Sequence, residues 1–205
     1  MRILKVATIC LVLLSFTKGY AQETKTILFF GDSITAGYGL DTEQAFPAVI
    51  QQKIDSLDLN YKVVNAGLSG ETSAGGLRRV DWILRQEVDI FVLELGGNDG
   101  LRGIDPQDTK QNLQGIIRKV EEAYPNAQII LTGMEAPPNL GDLYTSEFRS
   151  VYQELAAEND VIFMPFILEE VAGKPELNQP DGIHPTAEGH QIVAENLWDV
   201  LKPLL

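Results

Sequence analysis

The stretch VDIFVLEL (88–95), followed directly by GGNDG (96–100), decides the fold. Its first eight residues are nearly all apolar, which is typical of a strand that is buried on both faces. Such strands belong to parallel sheets that helices cover on both sides. The glycine-rich pentapeptide then leaves the strand in a polar turn. We therefore expect 88–95 to be an inner strand of a parallel sheet.

Apolar runs alternate with amphipathic stretches on either side of this strand. We predict five strands, at 26–30, 61–65, 88–95, 127–132 and 161–164. We predict helices at 43–57 with Thr42 as cap, at 72–86, 108–123 and 144–158, and from a first turn containing Pro185 to about Val200. This alternation predicts an α/β fold with one five-stranded parallel sheet between two layers of helices.

The amino-terminal segment has the three parts of a secretory signal peptide. Two basic residues lie within the first five positions, an apolar run fills 6–16, and small residues follow at positions 19 and 21. We expect cleavage after Ala21, which leaves one domain of ordinary size at 22–205. The alternatives are a buried amino-terminal strand or an uncleaved anchor.

Composition excludes several classes of function. The chain has 16 Lys+Arg against 29 Asp+Glu, a net charge of -13, which disfavours nucleic acid and anionic membranes as partners. The single cysteine, Cys10, lies in the predicted signal peptide, so neither a disulfide framework nor a cysteine metal site is expected. No carboxylate cluster has the spacing of metal ligands; Asp32, Asp99 and Asp181 are each interpreted as a loop cap or a histidine orienter.

Polar, glycine-rich clusters follow the predicted strands, where parallel sheets collect their functional residues. Ser33 lies just after the first strand, at the start of a predicted loop, where Gly31 lets the backbone turn. A serine hydroxyl needs a base to become nucleophilic. His184 is the candidate base, because Asp181 lies three residues earlier and can hold its other ring nitrogen. His190 has no such partner and is interpreted as an ordinary, exposed or partly buried helix residue.

Three groups at three strand ends are candidate donors to an oxyanion. They are the backbone N–H groups of Ser33 and Gly67 and the side-chain amide of Asn98. The alternative is that these residues only form tight turns, and that DGIHP (181–185) only precedes a helix. A competing nucleophile, Ser69, fails the G-x-S-x-G pattern at its last position.

Four sequence blocks together resemble the SGNH (GDSL-type) hydrolase family. The blocks are FFGDSITAGYGL (29–40), NAGLSGETS (65–73), LGGNDGLRG (95–103) and DGIHP (181–185). Within the family, the chain is similar to the bacterial thioesterase I/protease I/lysophospholipase L1 (arylesterase) branch. One departure is Ile34, where the family name has leucine; the exchange conserves volume.

The resemblance implies a three-layer α/β/α flavodoxin-like sandwich and a cofactor-free serine esterase. By this resemblance Ser33 is the nucleophile, His184 the base and Asp181 its partner. The oxyanion hole then consists of Ser33, Gly67 and Asn98. No metal and no cofactor are implied.

The resemblance also implies what the enzyme acts on and where. The expected substrate is a small-molecule acyl ester, thioester or lysophospholipid, and a loop at 100–104 is expected to close over the acyl chain. A carbohydrate O-acetylesterase and a non-catalytic lipid- or glycan-binding protein remain alternatives. We expect a secreted, periplasmic monomer without a nucleic-acid partner or a stable membrane anchor.

Overall fold

A parallel sheet forms the centre of the structure, a computed structural model that describes residues 23–205. Its five strands run in the order β2-β1-β3-β4-β5, and all neighbouring pairs are parallel. The strands are β1 (Lys25–Gly31), β2 (Tyr61–Asn65), β3 (Ile90–Glu94), β4 (Gln128–Thr132) and β5 (Ile162–Met164). Every residue of β3 is buried, so the prediction of an inner strand is confirmed, although the strand spans 90–94 and not all of 88–95.

Helices cover both faces of this sheet. They are α1 (Ser33–Ala36), α2 (Phe46–Ser56), α3 (Ser73–Ile83), α4 (Gly97–Arg102), α5 (Pro106–Ala123), α6 (Asp142–Glu158) and α7 (Ala187–Leu201). Phe29 and Phe30 are neighbours in β1 and therefore point to opposite faces. Phe29 packs against Phe46 of α2, with ring centroids 5.5 Å apart, whereas Arg79 of α3 lies 4.3 Å over the Phe30 ring. The predicted three-layer α/β/α flavodoxin-like sandwich is confirmed.

The second helix begins later than the sequence pattern predicts. Thr42 does not cap it but belongs to a separate 3-10 turn, Thr42–Gln44, and α2 starts at Phe46. Pro47 is the physical reason. A helix from residue 43 would place this proline in its interior, where it lacks the N–H and clashes with the preceding turn. In the first turn of α2 the missing N–H has no consequence.

The last helix also starts after its predicted position. Thr186 is the N-cap of α7, and its hydroxyl accepts a hydrogen bond from the Gly189 N–H at 3.2 Å. Threonine satisfies the free N–H groups of a helix start, which proline cannot do. Pro185 instead forms an isolated β-bridge with Asn178.

Two short helices occupy segments that the sequence pattern assigns to loops. Ser33 is the first residue of α1, and Asn98 lies in the first turn of α4. The segment 100–104, which was expected to be a loop, is therefore helical as far as Arg102. The helix ends at Gly103, which has a left-handed φ of 63°. Both site residues thus sit on ordered turns at the carboxyl ends of strands.

The predicted signal peptide and its cleavage after Ala21 lie outside the described residues. Among the helices within residues 23–205, none combines the length and the apolar character that crossing a membrane requires.

Candidate active site

The junction of β1 and α1 holds Ser33 in place. Asp32 is the N-cap of α1 and accepts a hydrogen bond from the backbone N–H two residues further on, at 3.0 Å. Gly31 has no left-handed φ. A Cβ atom at this position would collide with the Thr35 hydroxyl and the Glu94 carboxyl group. Gly31 is therefore required for close packing behind the nucleophile candidate and not for a left-handed turn.

Ser33, His184 and Asp181 form one hydrogen-bonded chain. His184 Nε2 lies 2.9 Å from Ser33 Oγ, and His184 Nδ1 lies 2.7 Å from Asp181 Oδ2. Hydrogen bonds from the His184 ring and from the backbone N–H groups of His184 and Ile183 lower the pKa of Asp181 to about 2. The ionised carboxylate accepts the Nδ1 proton, which leaves Nε2 as the acceptor for the serine hydroxyl. This arrangement can activate Ser33 as a nucleophile.

The loop that carries Asp181 and His184 is fixed by its own hydrogen bonds. The Asn178 side chain donates to Val171 O at 2.7 Å, and the Gln179 N–H donates to His184 O at 2.7 Å. Asp181 Oδ1 accepts the His184 N–H at 3.0 Å. The histidine ring therefore keeps its orientation although the loop lies at the surface.

Ser33 and Asn98 line the same cleft and offer donors to it. The Ser33 N–H opens α1, where backbone N–H groups have no intrahelical acceptor. Asn98 Nδ2 donates to Asp32 Oδ2 at 3.2 Å. Because a primary amide has two N–H bonds, this contact fixes the amide and leaves the second N–H for a ligand.

Gly67, the third predicted donor, packs against the backbone of α1. A Cβ atom on Gly67 would collide with the backbone nitrogen of Ala36. Its N–H donates to Asn65 Oδ1 at 2.9 Å, and Asn65 Nδ2 donates to Thr35 O at 2.8 Å. To stabilise an oxyanion, the Gly67 N–H has to be shared with the ligand or released from Asn65.

Two buried carboxyl groups lie behind Ser33, and sequence reasoning missed one of them. Glu94, at the end of β3, is fully buried, and its Oε2 accepts the Thr35 hydroxyl at 2.6 Å and the Asp32 N–H at 3.3 Å. Burial, together with the negative charge of Asp32, raises the pKa of Glu94 well above its usual range. Burial also raises the pKa of Asp32 to about 6, against hydrogen bonds from Ile34 and Asn98. The only available signal for Glu94 was an acidic residue at the end of the predicted buried strand, which also contains Asp89 near its start.

A family model described as "GDSL-like Lipase/Acylhydrolase family" matches residues 29–192, a range that contains Ser33, Gly67, Asn98, Asp181 and His184. The chain belongs to this family. It is therefore an ester hydrolase, and the SGNH (GDSL-type) resemblance is confirmed.

Individual relatives of this hydrolase are similar over nearly their whole length. "Esterase TesA" of Pseudomonas aeruginosa is 43% identical over 197 residues, 96% of each chain. "Thioesterase 1/protease 1/lysophospholipase L1" of Escherichia coli K12 is 42% identical over 196 residues, 95% of this chain and 90% of that protein. A crystal structure of TesA matches with a TM-score of 0.84 at 43% identity, and covers 88% of this hydrolase and 100% of that chain.

A cleft of about 680 Å³ opens in front of Ser33. This volume is typical of small-molecule sites. Large apolar side chains dominate its walls: Ile34, Leu101, Met134, Leu140, Phe166 and Leu168. A second cavity of about 510 Å³ lies at the opposite, amino ends of β1, β3 and β4 and does not include Ser33.

The remaining candidates have structural contacts. Asp99 is buried and accepts the Ser73 N–H at 2.8 Å, so it ties α4 to α3. His190, expected at the surface or partly buried, is fully buried, because it lies on the side of α7 that packs against α2. Its ring accepts the Phe46 N–H at 3.2 Å. Within residues 23–205, no three His, Cys, Asp or Glu side chains are grouped to hold a metal ion. That the enzyme needs no cofactor stays a prediction.

Tyr38 is a further residue that sequence reasoning did not single out. Its ring packs on the His184 ring, with centroids 4.6 Å apart and planes tilted by 40°. Gln179 Nε2 donates to Tyr38 O at 2.7 Å and so connects this residue to the loop of the histidine. An aromatic residue in the first sequence block was the only available signal.

Proposed function

We propose that this hydrolase is a serine esterase that cleaves carboxylic esters and thioesters of acyl chains through an acyl-enzyme on Ser33. The observation that carries the proposal is the hydrogen-bonded chain from Ser33 through His184 to Asp181, with Ser33 in the wall of the cleft. Relatives named as an esterase and as a thioesterase/lysophospholipase support it.

The first half of the reaction forms the acyl-enzyme. His184 Nε2 takes the proton of Ser33 Oγ while the oxygen attacks the ester carbonyl carbon. The carbonyl electron pair moves to the oxygen, and the Ser33 N–H, the Asn98 amide and a shared Gly67 N–H stabilise this oxyanion. His184 then gives its proton to the leaving oxygen or sulfur as the bond to the acyl carbon breaks.

The second half releases the acid. Water attacks the acyl-enzyme, His184 takes one proton from it, and Ser33 Oγ recovers that proton as the acyl group leaves. Asp181 stays ionised throughout, because its pKa is about 2, and it stabilises the imidazolium in both halves.

The cleft favours an acyl chain over a sugar. Seven large apolar side chains line it, which suits a medium or long chain. Away from Ser33 its polar side chains are Glu135, Asn139 and Asn178. Glu135 is already paired with Arg149, and Asn178 donates to backbone carbonyls, so few partners remain for the hydroxyl groups of a carbohydrate. We therefore place lysophospholipids and neutral acyl esters before acetylated sugars. The intact set of Ser33, His184 and Asp181 argues against a non-catalytic binding protein.

Secretion is part of the proposal and rests on the sequence of residues 1–21. Removal of that segment takes three basic residues with it and leaves 13 basic and 29 acidic residues, a net charge of -16. Mass spectrometry of the protein from a periplasmic extract tests this. A mature chain beginning at Gln22 is expected, and a cytosolic chain that retains Met1 contradicts secretion.

Hydrolysis of a p-nitrophenyl ester series, from acetate to palmitate, tests the activity. We expect an optimum at medium or long chains for the unaltered enzyme and loss of turnover in Ser33→Ala. Ser69→Ala, which removes an exposed serine hydroxyl in the segment after β2, is the matched control and should keep full activity. An optimum at acetate favours the sugar deacetylase, and an inert unaltered enzyme favours the binding protein.

A further inference from the structure

Large apolar side chains are exposed mainly at one end of this hydrolase. Within residues 23–205, eight such residues are exposed, and six of them follow the carboxyl ends of strands: Tyr38, Leu68, Leu101, Leu140, Leu143 and Ile183. We call these six the apolar rim. Scattered exposed apolar residues are ordinary, but a group at one edge marks an interaction surface.

The parallel topology puts the rim around the mouth of the cleft. Each rim residue lies in a connection that leaves the carboxyl end of a strand or in the first turn of the next helix. All strands are parallel, so these connections meet at one edge of the sheet. The other two exposed residues, Leu57 and Trp82, lie at the far ends of α2 and α3, which run back to the opposite edge.

Binding of one ester molecule explains only half of the rim. Leu101, Leu140 and Ile183 line the cleft, where an acyl chain covers them. The other three lie outside it: Tyr38 is half-exposed although its ring packs on His184, Leu68 is half-exposed, and Leu143 is 73% exposed. Their exposure calls for a partner larger than a single substrate molecule.

The charge around the rim indicates which partner fits. The five connections that leave the strands' carboxyl ends (32–45, 66–72, 95–105, 133–141 and 165–186) carry eleven acidic and two basic residues. Asp32, Glu71 and Asp99 are buried, and the other eight acidic residues are exposed. An anionic lipid surface is repelled by such an edge. A choline headgroup instead places its quaternary ammonium outermost, where carboxylates attract it and the half-exposed ring of Tyr38 can bind it.

We propose that the apolar rim docks this enzyme on the surface of a zwitterionic, choline-headgroup lipid aggregate and opens the cleft toward it. The proposal rests on the proposed esterase function. Partial insertion of a few side chains makes the binding weak and reversible, as for proteins that lie on membranes. The lipid then enters the cleft without first crossing water as a monomer.

Binding to vesicles of phosphatidylcholine tests the proposal, with Ser33→Ala as the background so that no lipid is cleaved. We expect Leu143→Gln to weaken co-sedimentation with these vesicles about three- to tenfold, because an inserted apolar side chain is lost. Leu143→Trp should strengthen it. Trp82→Gln is the matched control, an exposed apolar residue at the opposite edge, and should change nothing.

Several outcomes overturn the docking surface. They are no sedimentation with phosphatidylcholine at millimolar lipid, equal binding by Leu143→Gln and Trp82→Gln, or binding to phosphatidylglycerol vesicles alone. A dimer in sedimentation velocity that Leu143→Gln dissociates assigns the rim to a second copy instead.

Hydrolysis of soluble p-nitrophenyl butyrate distinguishes a failure of the docking proposal from a failure of the proposed esterase function. With the active serine in place, Leu143→Gln should retain full turnover of this monomeric ester and lose turnover of lysophosphatidylcholine micelles. If the unaltered enzyme cleaves no soluble ester, the esterase function fails, whereas the vesicle experiment reports on docking without any hydrolysis.

Discussion

Two carboxyl groups of the site, Asp32 beside Ser33 and Asp181 beside His184, lie in opposite environments. Asp32 is buried beside Ser33, and burial raises its pKa to about 6. Asp181 lies on a surface loop, where three hydrogen bonds lower its pKa to about 2. The difference shows that hydrogen-bond donors, rather than depth, decide which carboxyl group stays charged beside the proposed catalytic residues. The buried Asp32 instead holds the Asn98 amide, and its own charge is lost in mild acid.

Asp181→Asn should have the largest effect on activity. The amide cannot accept the Nδ1 proton as a carboxylate does, so the ring turns or adopts the other tautomer and loses its hold on Ser33. We expect kcat for p-nitrophenyl butyrate to fall about 10³- to 10⁴-fold. Asp142→Asn removes an exposed acid at the same edge and should leave kcat unchanged. An effect of less than tenfold for Asp181→Asn means that another group orients His184.

Asp32→Asn should lower kcat by about 10- to 10²-fold with little change in KM. The new amide can still cap α1 but offers no acceptor to Asn98, so one oxyanion donor loses its orientation. The free energy of unfolding at pH 7 should not fall, because a buried charge is removed.

The pH profile sharpens this second prediction. The ionisation near pH 6 that Asp32 contributes should disappear from the kcat profile of Asp32→Asn. A parallel loss of kcat and of folding stability, with an unchanged profile, contradicts the positioning role of Asp32.

His190 extends the comparison to a histidine without a carboxylate partner. Burial lowers its pKa from the usual 6.5 to about 4. Between pH 6.5 and about pH 4, His190 is protonated in the unfolded chain but not in the folded chain. The free energy of unfolding therefore falls as the pH drops. The loss reaches about 3 kcal/mol.

Urea unfolding between pH 7 and pH 4 measures the contribution of His190. His190→Asn keeps an acceptor for the Phe46 N–H and should flatten the dependence relative to the unaltered enzyme. Equal slopes for the two proteins contradict a buried, neutral His190.

Glu94→Gln should have the smallest effect. Because burial raises the pKa of Glu94 well above 4.5, its neutral form is favoured, and glutamine has nearly the same shape. The carboxyl group stabilises the fold at low pH and this contribution is lost as the pH rises through its folded-state pKa. We expect unfolding free energies at pH 7 within about 1 kcal/mol of each other. A loss of several kcal/mol would show that the ionised form is needed.

The sequence predicts the sheet more closely than the helix starts. Apolar runs identify all five strands. Burial on both faces gives the clearest pattern in β1, β3 and β4, whereas the edge strands β2 and β5 are only partly buried. Helix starts are decided by single residues, such as Pro47 in α2 and Thr186 before α7, whose effects depend on which turn they occupy. The short α1 and α4 were missed because four to six residues show no helical periodicity.

Within the candidate site, too, some residues are predicted from the sequence and others are not. Ser33, His184 and Asp181 are identified from residue type and spacing, and the structure brings them within hydrogen-bond distance. The supporting contacts of Glu94 and Asn65 join β3 and β2 to Thr35 of α1 and leave no local pattern. Their roles depend on strand order, which single-sequence patterns do not contain.

Labelling with an ethyl p-nitrophenyl alkylphosphonate tests the central mechanism most directly. This reagent transfers its phosphonyl group to an activated serine and releases p-nitrophenol. Intact-mass and peptide analysis should find one adduct, on the peptide that contains Ser33. It should form normally in Ser69→Ala, slowly in Asp181→Asn and not at all in Ser33→Ala. An adduct on any other residue, or undiminished labelling of Ser33→Ala, contradicts a mechanism based on Ser33.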